Sequence, residues 1–249
     1  MKLSIMTVAL WGTLASVAVQ GAELIETEPG VVSANLLTRR TADYDYDVPA
    51  AGTYELPVLQ PAADGIVLGT NGAPTRLHDL MRGRVVVLSF IYTRCADPKA
   101  CMRATGVLSE LQRISRQQPA LAEKLLLITL SFDPAHDTPG VMARYGRVSL
   151  ATGKGAEWLF LTTRNQVELQ PLLDAYGQRV KRRKTFSAVG PYYHPLRVYL
   201  IDQHQQIRNI YSYGLLDSRL VATDAATLIM EQDAPVLRKS AHSREQVAR

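Results

Sequence analysis

Apolar positions along the chain form a few continuous runs and several helical stripes, separated by long polar stretches. Val85–Ile91 and Leu125–Phe132 are unbroken, and each is short enough to be a strand buried on both faces. Trp158–Leu161 reads as a third, shorter strand, and Leu196–Ile201 and Ile207–Tyr211 as two more joined by a turn over Asp202–Gln206. Elsewhere the spacing changes to three and four residues. From about Lys99, the positions Met102, Leu108, Leu111 and Ile114 predict a helix. Pro139 opens a second, because its fixed φ suits the first helical turn, and Val141, Met142, Tyr145 and Val148 are its expected buried stripe. Val167, Leu169, Leu172, Leu173 and Tyr176 predict a third helix, and Asp217–Met230 a closing one. Upstream, Tyr54–Leu59 and Gly65–Leu68 read as a hairpin around Ala62–Asp64, followed by a Gly69–Pro74 turn and a helical turn at Arg76–Leu80. Gly177–Pro191 is a polar, basic loop.

Buried strands alternating with helices, then a terminal hairpin and helix, define an α/β domain with a mixed central sheet flanked by helices. The expected domain spans 54–231, beginning with the N-terminal hairpin. Before it, Met1–Ala22 has one early lysine, an apolar stretch and small residues at Val19, Gly21 and Ala22. Polar interruptions at Ser4, Thr7, Gly12, Thr13 and Ser16 favour a cleaved secretory signal over an uncleaved membrane anchor. Either reading puts the domain outside the cytoplasm, in a periplasm or another exported location. Residues 23–53 lack sustained periodicity and read as an extended tether; the Asp43–Asp47 alternation of Asp and Tyr within it is at most a weak metal or partner patch. Residues 232–249 are charged, contain Ala and Ser, and read as a disordered tail.

A chain of 249 residues with 47% hydrophobic content accommodates one such domain with appendages. The net charge of +5 is modest, and much of it sits in Lys181–Lys184. That run is either a solvated face or a docking site for an acidic partner protein. Without interleaved aromatics or a recognisable module it does not indicate nucleic-acid binding. A glycine-rich phosphate loop, a Ser/His/Asp set and an HExxH motif are all missing, and there are too few Cys and His clusters for a four-ligand zinc site.

The chemistry concentrates where the first core strand meets its helix. Tyr92-Thr93-Arg94 lead into Cys95, and Cys101 follows after five intervening residues; these are the only cysteines. A helix mouth favours thiolate over thiol through its dipole and free N–H groups. A thiol pair at this junction narrows the architecture to a thioredoxin-like fold. Thiolates attack disulfides and bind soft metals, and an exported pair also forms structural disulfides. Thus a staple, a redox pair and a metal site are all open. Asp133, His136 and Asp137 suggest a hard-metal site, but a helix cap from Asp133 or Asp137 for the helix at Pro139 is the expected role. His78, His204 and His242 are expected at the surface.

Three stretches together resemble the SCO/SenC family of copper-binding, thioredoxin-like proteins that assist cytochrome c oxidase assembly. They are Ser89–Cys95 with Cys101, then Ser131–Pro139 (SFDPAHDTP), then His194 ahead of Val198–Asp202. Gly83–Val87 and Trp158–Thr162 also fit, so the resemblance covers about Tyr54–Gly214. It implies a copper ion, Cu(I) or Cu(II), bound by Cys95, Cys101 and His194, and a copper-accepting client such as an oxidase subunit. The alternative is a thiol–disulfide oxidoreductase acting on the cysteines of a client metalloprotein, with Cys95 attacking and Cys101 resolving. A peroxidase is disfavoured, because the Pro-x-x-x-Thr-x-x-Cys arrangement is missing before Cys95. Two departures stand out. The family usually spaces its cysteines by three residues with a proline after each, whereas this chain has five, with Ala96 and Met102 in place of the prolines. Pro195 stands where thioredoxin-like folds commonly carry a cis-proline facing the cysteine loop, an arrangement that would turn His194 away from the sulfurs.

Overall fold

The structure, a computed structural model, describes residues 44–150 and 155–233. The leader, most of the tether, His242 and nearly all of the tail lie outside the described residues, as does the side chain of Val148. Among the described residues no helix is long and apolar enough to cross a membrane.

The elements in chain order are β1 Gln60–Pro61, β2 Ile66–Leu68, β3 Pro74–Arg76, α1 Leu77–Met81, β4 Val85–Ile91, α2 Cys101–Ser115, α3 Pro119–Lys124 and β5 Leu125–Ser131. They continue with α4 Pro139–Leu150, β6 Glu157–Leu161, α5 Gln166–Ala175, β7 Lys181–Arg182, β8 Tyr192–Tyr193, β9 Val198–Ile201, β10 Gln206–Tyr211 and α6 Ser218–Asp233. Six strands form one sheet in the order β1-β10-β9-β4-β5-β6. The β4–β5 and β5–β6 pairs are parallel, and the β4–β9, β9–β10 and β10–β1 pairs are antiparallel. Mixed pairing with helical crossovers is the expected α/β, thioredoxin-like plan. Every residue of β4 and β5 is buried, because helices cover both faces of the sheet centre.

Two helical stripes begin later than their periodicity suggests. Met102 and Val167 face water; after Cys101 the buried stripe of α2 resumes at Ala104, and that of α5 starts at Leu169. Both residues lie in a first turn, on the side away from the sheet. Asn165 caps α5, its side chain accepting the Glu168 N–H at 3.0 Å. The short helix α3 is not apparent from periodicity; six residues are too few to display it.

The expected N-terminal hairpin is wrong in its partners. Ile66–Leu68 pairs with Pro74–Arg76, and Gln60–Pro61 joins the edge of the main sheet beside β10. The turn chemistry lies at Gly69–Ala73, where Gly72 adopts φ +79°, its N–H reaches Gly69 O at 2.9 Å, and Asn71 Oδ1 accepts from Ala73 N at 3.0 Å. Pro61 has no N–H to donate, so an edge position suits it. Residues 44–53, assigned above to the tether, lie against the domain. Val48 is buried, Tyr44 Oη donates to Leu216 O at 2.9 Å, and Gly52 N donates to Thr227 Oγ1 at 3.0 Å.

Candidate metal site

The strand pairing builds the site. β9 runs antiparallel to β4, with Ser89 opposite Val198, so the start of β9 lies beside the end of β4. His194, just before β9, is thereby brought to the loop that follows β4. β5 runs parallel to β4, so Phe132 arrives at the same end, its N–H on Ile91 O at 2.8 Å.

Past β4 the chain turns at Tyr92, whose carbonyl accepts from Cys95 N at 3.2 Å. The extra loop residues are used to close a turn: Asp97 accepts from Lys99 N at 2.9 Å through its side chain and from Ala100 N at 3.2 Å through its carbonyl. Cys101 then opens α2, and its N-cap, Ala100, offers no side-chain acceptor. The loop therefore delivers both sulfurs to an uncapped helix mouth. One donor atom each from Cys95, Cys101 and His194 lies within 4.8 Å of the others, and Cys101 Sγ is 3.5 Å from His194 Nε2. Among the described residues this is the only cluster of three or more Cys, His, Asp or Glu positioned to share an ion. Both cysteines are free thiols, Cys95 half-buried and Cys101 fully buried.

The two thiols are electrically unequal. A hydrogen bond from the Cys101 thiol pulls the Cys95 pKa down to about 4, helped by His194 and by the backbone N–H groups of Asp97 and Cys101. Donating that proton, together with burial, pushes the Cys101 thiol up. Cys95 is thus the standing thiolate and Cys101 its proton donor. With this value Cys95 stays ionised as pH falls from 8 to 6, and ionisation is lost only as pH falls through about 4. An ordinary thiol of pKa about 8.5 loses about a hundredfold in thiolate over the same interval. Iodoacetamide should therefore alkylate one cysteine of the reduced chain at nearly equal rates at pH 6 and 8. A rate that falls in step with ordinary thiol ionisation would refute the assignment.

An aromatic box orients His194. The ring centroids of Phe132 and Tyr92 lie 4.9 and 5.8 Å from that of the imidazole. Nδ1 is 3.3 Å from Pro195 O, a carbonyl that only accepts, so this contact turns Nδ1 away from the sulfurs and leaves Nε2 facing them, 3.5 Å from Cys101 Sγ. Among the described residues all peptide bonds are trans, including that before Pro195, and His194 faces the sulfurs rather than turning away.

The acidic loop supports the site without capping α4. The Met142 N–H goes to Thr138 O at 2.9 Å, while the Asp137 carboxylate turns back to accept from Thr93 N at 2.9 Å, Thr93 Oγ1 at 2.5 Å and Ser131 Oγ at 2.5 Å. Asp133 accepts from Arg94 at 2.6 Å and from Tyr192 Oη at 3.0 Å, tying the residue before Cys95 to the strand before His194. Neither aspartate belongs to a hard-metal cluster, and His136 is exposed. His78 contacts Ala62 O at 2.9 Å and His204 sits in the β9–β10 turn, both apart from the site. Sequence reasoning missed Tyr92, Phe132 and Tyr192 as positioning residues. Their only signal was adjacency to the strand ends, and apolar strand residues read as core.

A two-sulfur, one-nitrogen pocket at the end of a thioredoxin-like sheet defines a class of soft-metal or thiol-exchange protein. The family model for SCO1/SenC matches residues 67–229, well over half of the chain. The chain belongs to the SCO1/SenC family. Comparison with curated protein sequences finds no match. Similar solved structures include copper-bound ScoI of Bradyrhizobium japonicum (20% identity, TM-score 0.53, covering 68% of this chain and 99% of that one). A SCO1/SenC family lipoprotein from Bacillus anthracis str. Ames is 21% identical, with TM-score 0.56 and coverage of 68% and 95%. BsSco, a member of the Sco family of cytochrome c oxidase assembly proteins described with a disulfide switch, is 19% identical, with TM-score 0.54 and coverage of 71% and 98%. At these identities the likeness establishes the shared fold.

Proposed function

We propose that this chain is an exported copper carrier: it binds one copper ion through Cys95, Cys101 and His194 and passes it to a copper-site apoprotein such as an oxidase subunit. The observation that carries the reading is the convergence of two sulfurs and an imidazole nitrogen within 4.8 Å. Thiolates are soft donors suited to Cu(I), and imidazole suits either oxidation state. Cys95 needs no deprotonation to bind, so loading displaces the one proton held by Cys101. Half-buried Cys95 is the sulfur an acceptor thiol meets first. In the exchange copper passes from these sulfurs to the acceptor's, the acceptor's thiol protons go to the vacated sulfurs or to water, and no electron changes hands. The copper in the Bradyrhizobium ScoI structure, the oxidase-assembly role of the BsSco family and the lipoprotein nature of the Bacillus anthracis relative support the reading of cargo, client and export. The secretory character of residues 1–22 agrees with it. Titrating the fully reduced chain with Cu(I) against a competing chelator should reveal one tight equivalent; binding no stronger than that of a free dithiol would sink the carrier reading.

A second reading, thiol–disulfide exchange, draws on the different burial of the two thiols. Cys95 is accessible to attack a client disulfide, and Cys101 sits behind it to resolve the mixed disulfide. A working pair should have a reduction potential well above the range of about −300 mV and below that marks structural disulfides. A potential within that structural range would exclude it.

A further inference from the structure

We propose that the β7–β8 arm, which runs directly into His194, is a docking surface for an acidic face on the protein that receives the metal; this rests on the carrier reading above. Between Asp174 and Asp202 the chain holds six lysines and arginines and no carboxylate. Lys181, Arg182 and Lys184 are exposed, and among the described residues none of the three forms an ion pair. At the tip Phe186 is 96% exposed, and on the arm Tyr193 is 58% exposed with the Arg183 guanidinium 3.4 Å from its ring centroid. A cationic strand pair ending in an uncovered aromatic has the composition of an interface, where aromatic residues and arginine carry most of the binding energy. Unpaired charge of one sign also steers an oppositely charged partner and speeds encounter.

The arm is held to the metal site. Val189 O accepts from Ala96 N at 3.2 Å and from Tyr92 Oη at 3.1 Å, and Arg183 N donates to Pro191 O at 2.7 Å. Gly190 adopts φ +114°, and a Cβ there would fall 2.1 Å from Tyr92 Oη, so only glycine permits this approach. A partner seated on the arm therefore stands at the mouth of the Cys95–Cys101–His194 site. This position favours a protein over an anionic membrane, because a bilayer lying on the arm would cover the mouth through which the metal leaves.

The test uses the full chain and a synthetic acceptor peptide in which two cysteines are flanked by glutamates, with a glutamine twin. Copper should pass from the loaded chain to the glutamate peptide about tenfold faster than to the twin at low ionic strength, the preference fading as salt screens it. K181E/R182E/K184E should erase the preference with copper affinity unchanged, and Phe186→Ala should weaken binding of the glutamate peptide. Equal transfer to both peptides, or a preference surviving charge reversal, would overturn the proposal. So would charge-dependent binding to phosphatidylglycerol vesicles with peptide transfer unmoved. If the chain takes up no Cu(I), the carrier reading fails at that earlier step. Fluorescence anisotropy of a serine-for-cysteine glutamate peptide on the apo chain then still reads the docking surface, and absence of charge-dependent binding there overturns it.

Discussion

Cys95→Ser should abolish the tight Cu(I) equivalent, lowering affinity by at least about a hundredfold, since loss of even an outer partner of a metal ligand costs about 10–100-fold. The substitution removes the one sulfur already ionised at neutral pH and puts a hard, neutral hydroxyl in its place. It also removes the acceptor for the Cys101 proton. His194→Ala should weaken the equivalent without abolishing it, because two sulfurs remain to hold Cu(I). The chelator competition reads both changes, with thermal melts of the apo variants to show that the fold is intact. Retention of the tight equivalent in Cys95→Ser would remove this cysteine from the site.

Asp137→Ala should destabilise the chain by about 3–5 kcal/mol, through donors left buried without a partner at about 1–3 kcal/mol each. The Asp137 side chain is fully buried and receives the Ser131 hydroxyl together with the backbone N–H and hydroxyl of Thr93. Ser131 is itself fully buried, so water does not replace the lost acceptor. For a folded unit of this size the melting temperature should fall by about 10 °C, at about 2–4 °C per kcal/mol. Asp137→Asn keeps one acceptor oxygen and should recover about half of the loss. Because Thr93 precedes Cys95 by two residues, Asp137→Ala should also slow alkylation of Cys95 at pH 6. A melting temperature within about 2 °C of the parent would show that the loop does not depend on this carboxylate.

Much of the frame was legible along the chain. Val85–Ile91 and Leu125–Ser131 announced themselves as continuous apolar runs, since a strand covered on both faces has no polar side to display. The α2 and α5 stripes were readable through their three- and four-residue spacing, apart from their first turns. The hairpin partners were not, because strand pairing depends on which turn closes, and Gly69–Ala73 outcompeted Ala62–Asp64 with a glycine at positive φ and an Asn side-chain acceptor.

The residues of the site were present in the sequence as two cysteines and a histidine preceding an apolar strand, and their soft-donor chemistry followed from residue type alone. Their convergence did not. Cys101 and His194 are 93 positions apart, and only the antiparallel placement of β9 against β4 closes that gap. That placement also sets the imidazole among the Phe132 and Tyr92 rings, while the parallel pairing of β4 with β5 turns Asp137 from an expected helix cap into the anchor of the cysteine loop. Side-chain identity fixes what a group is able to bind, whereas pairing across the sheet fixes which groups meet. The unequal protonation of the two thiols belongs to this second category, because it arises from a hydrogen bond between them and from the different depth at which the fold buries each.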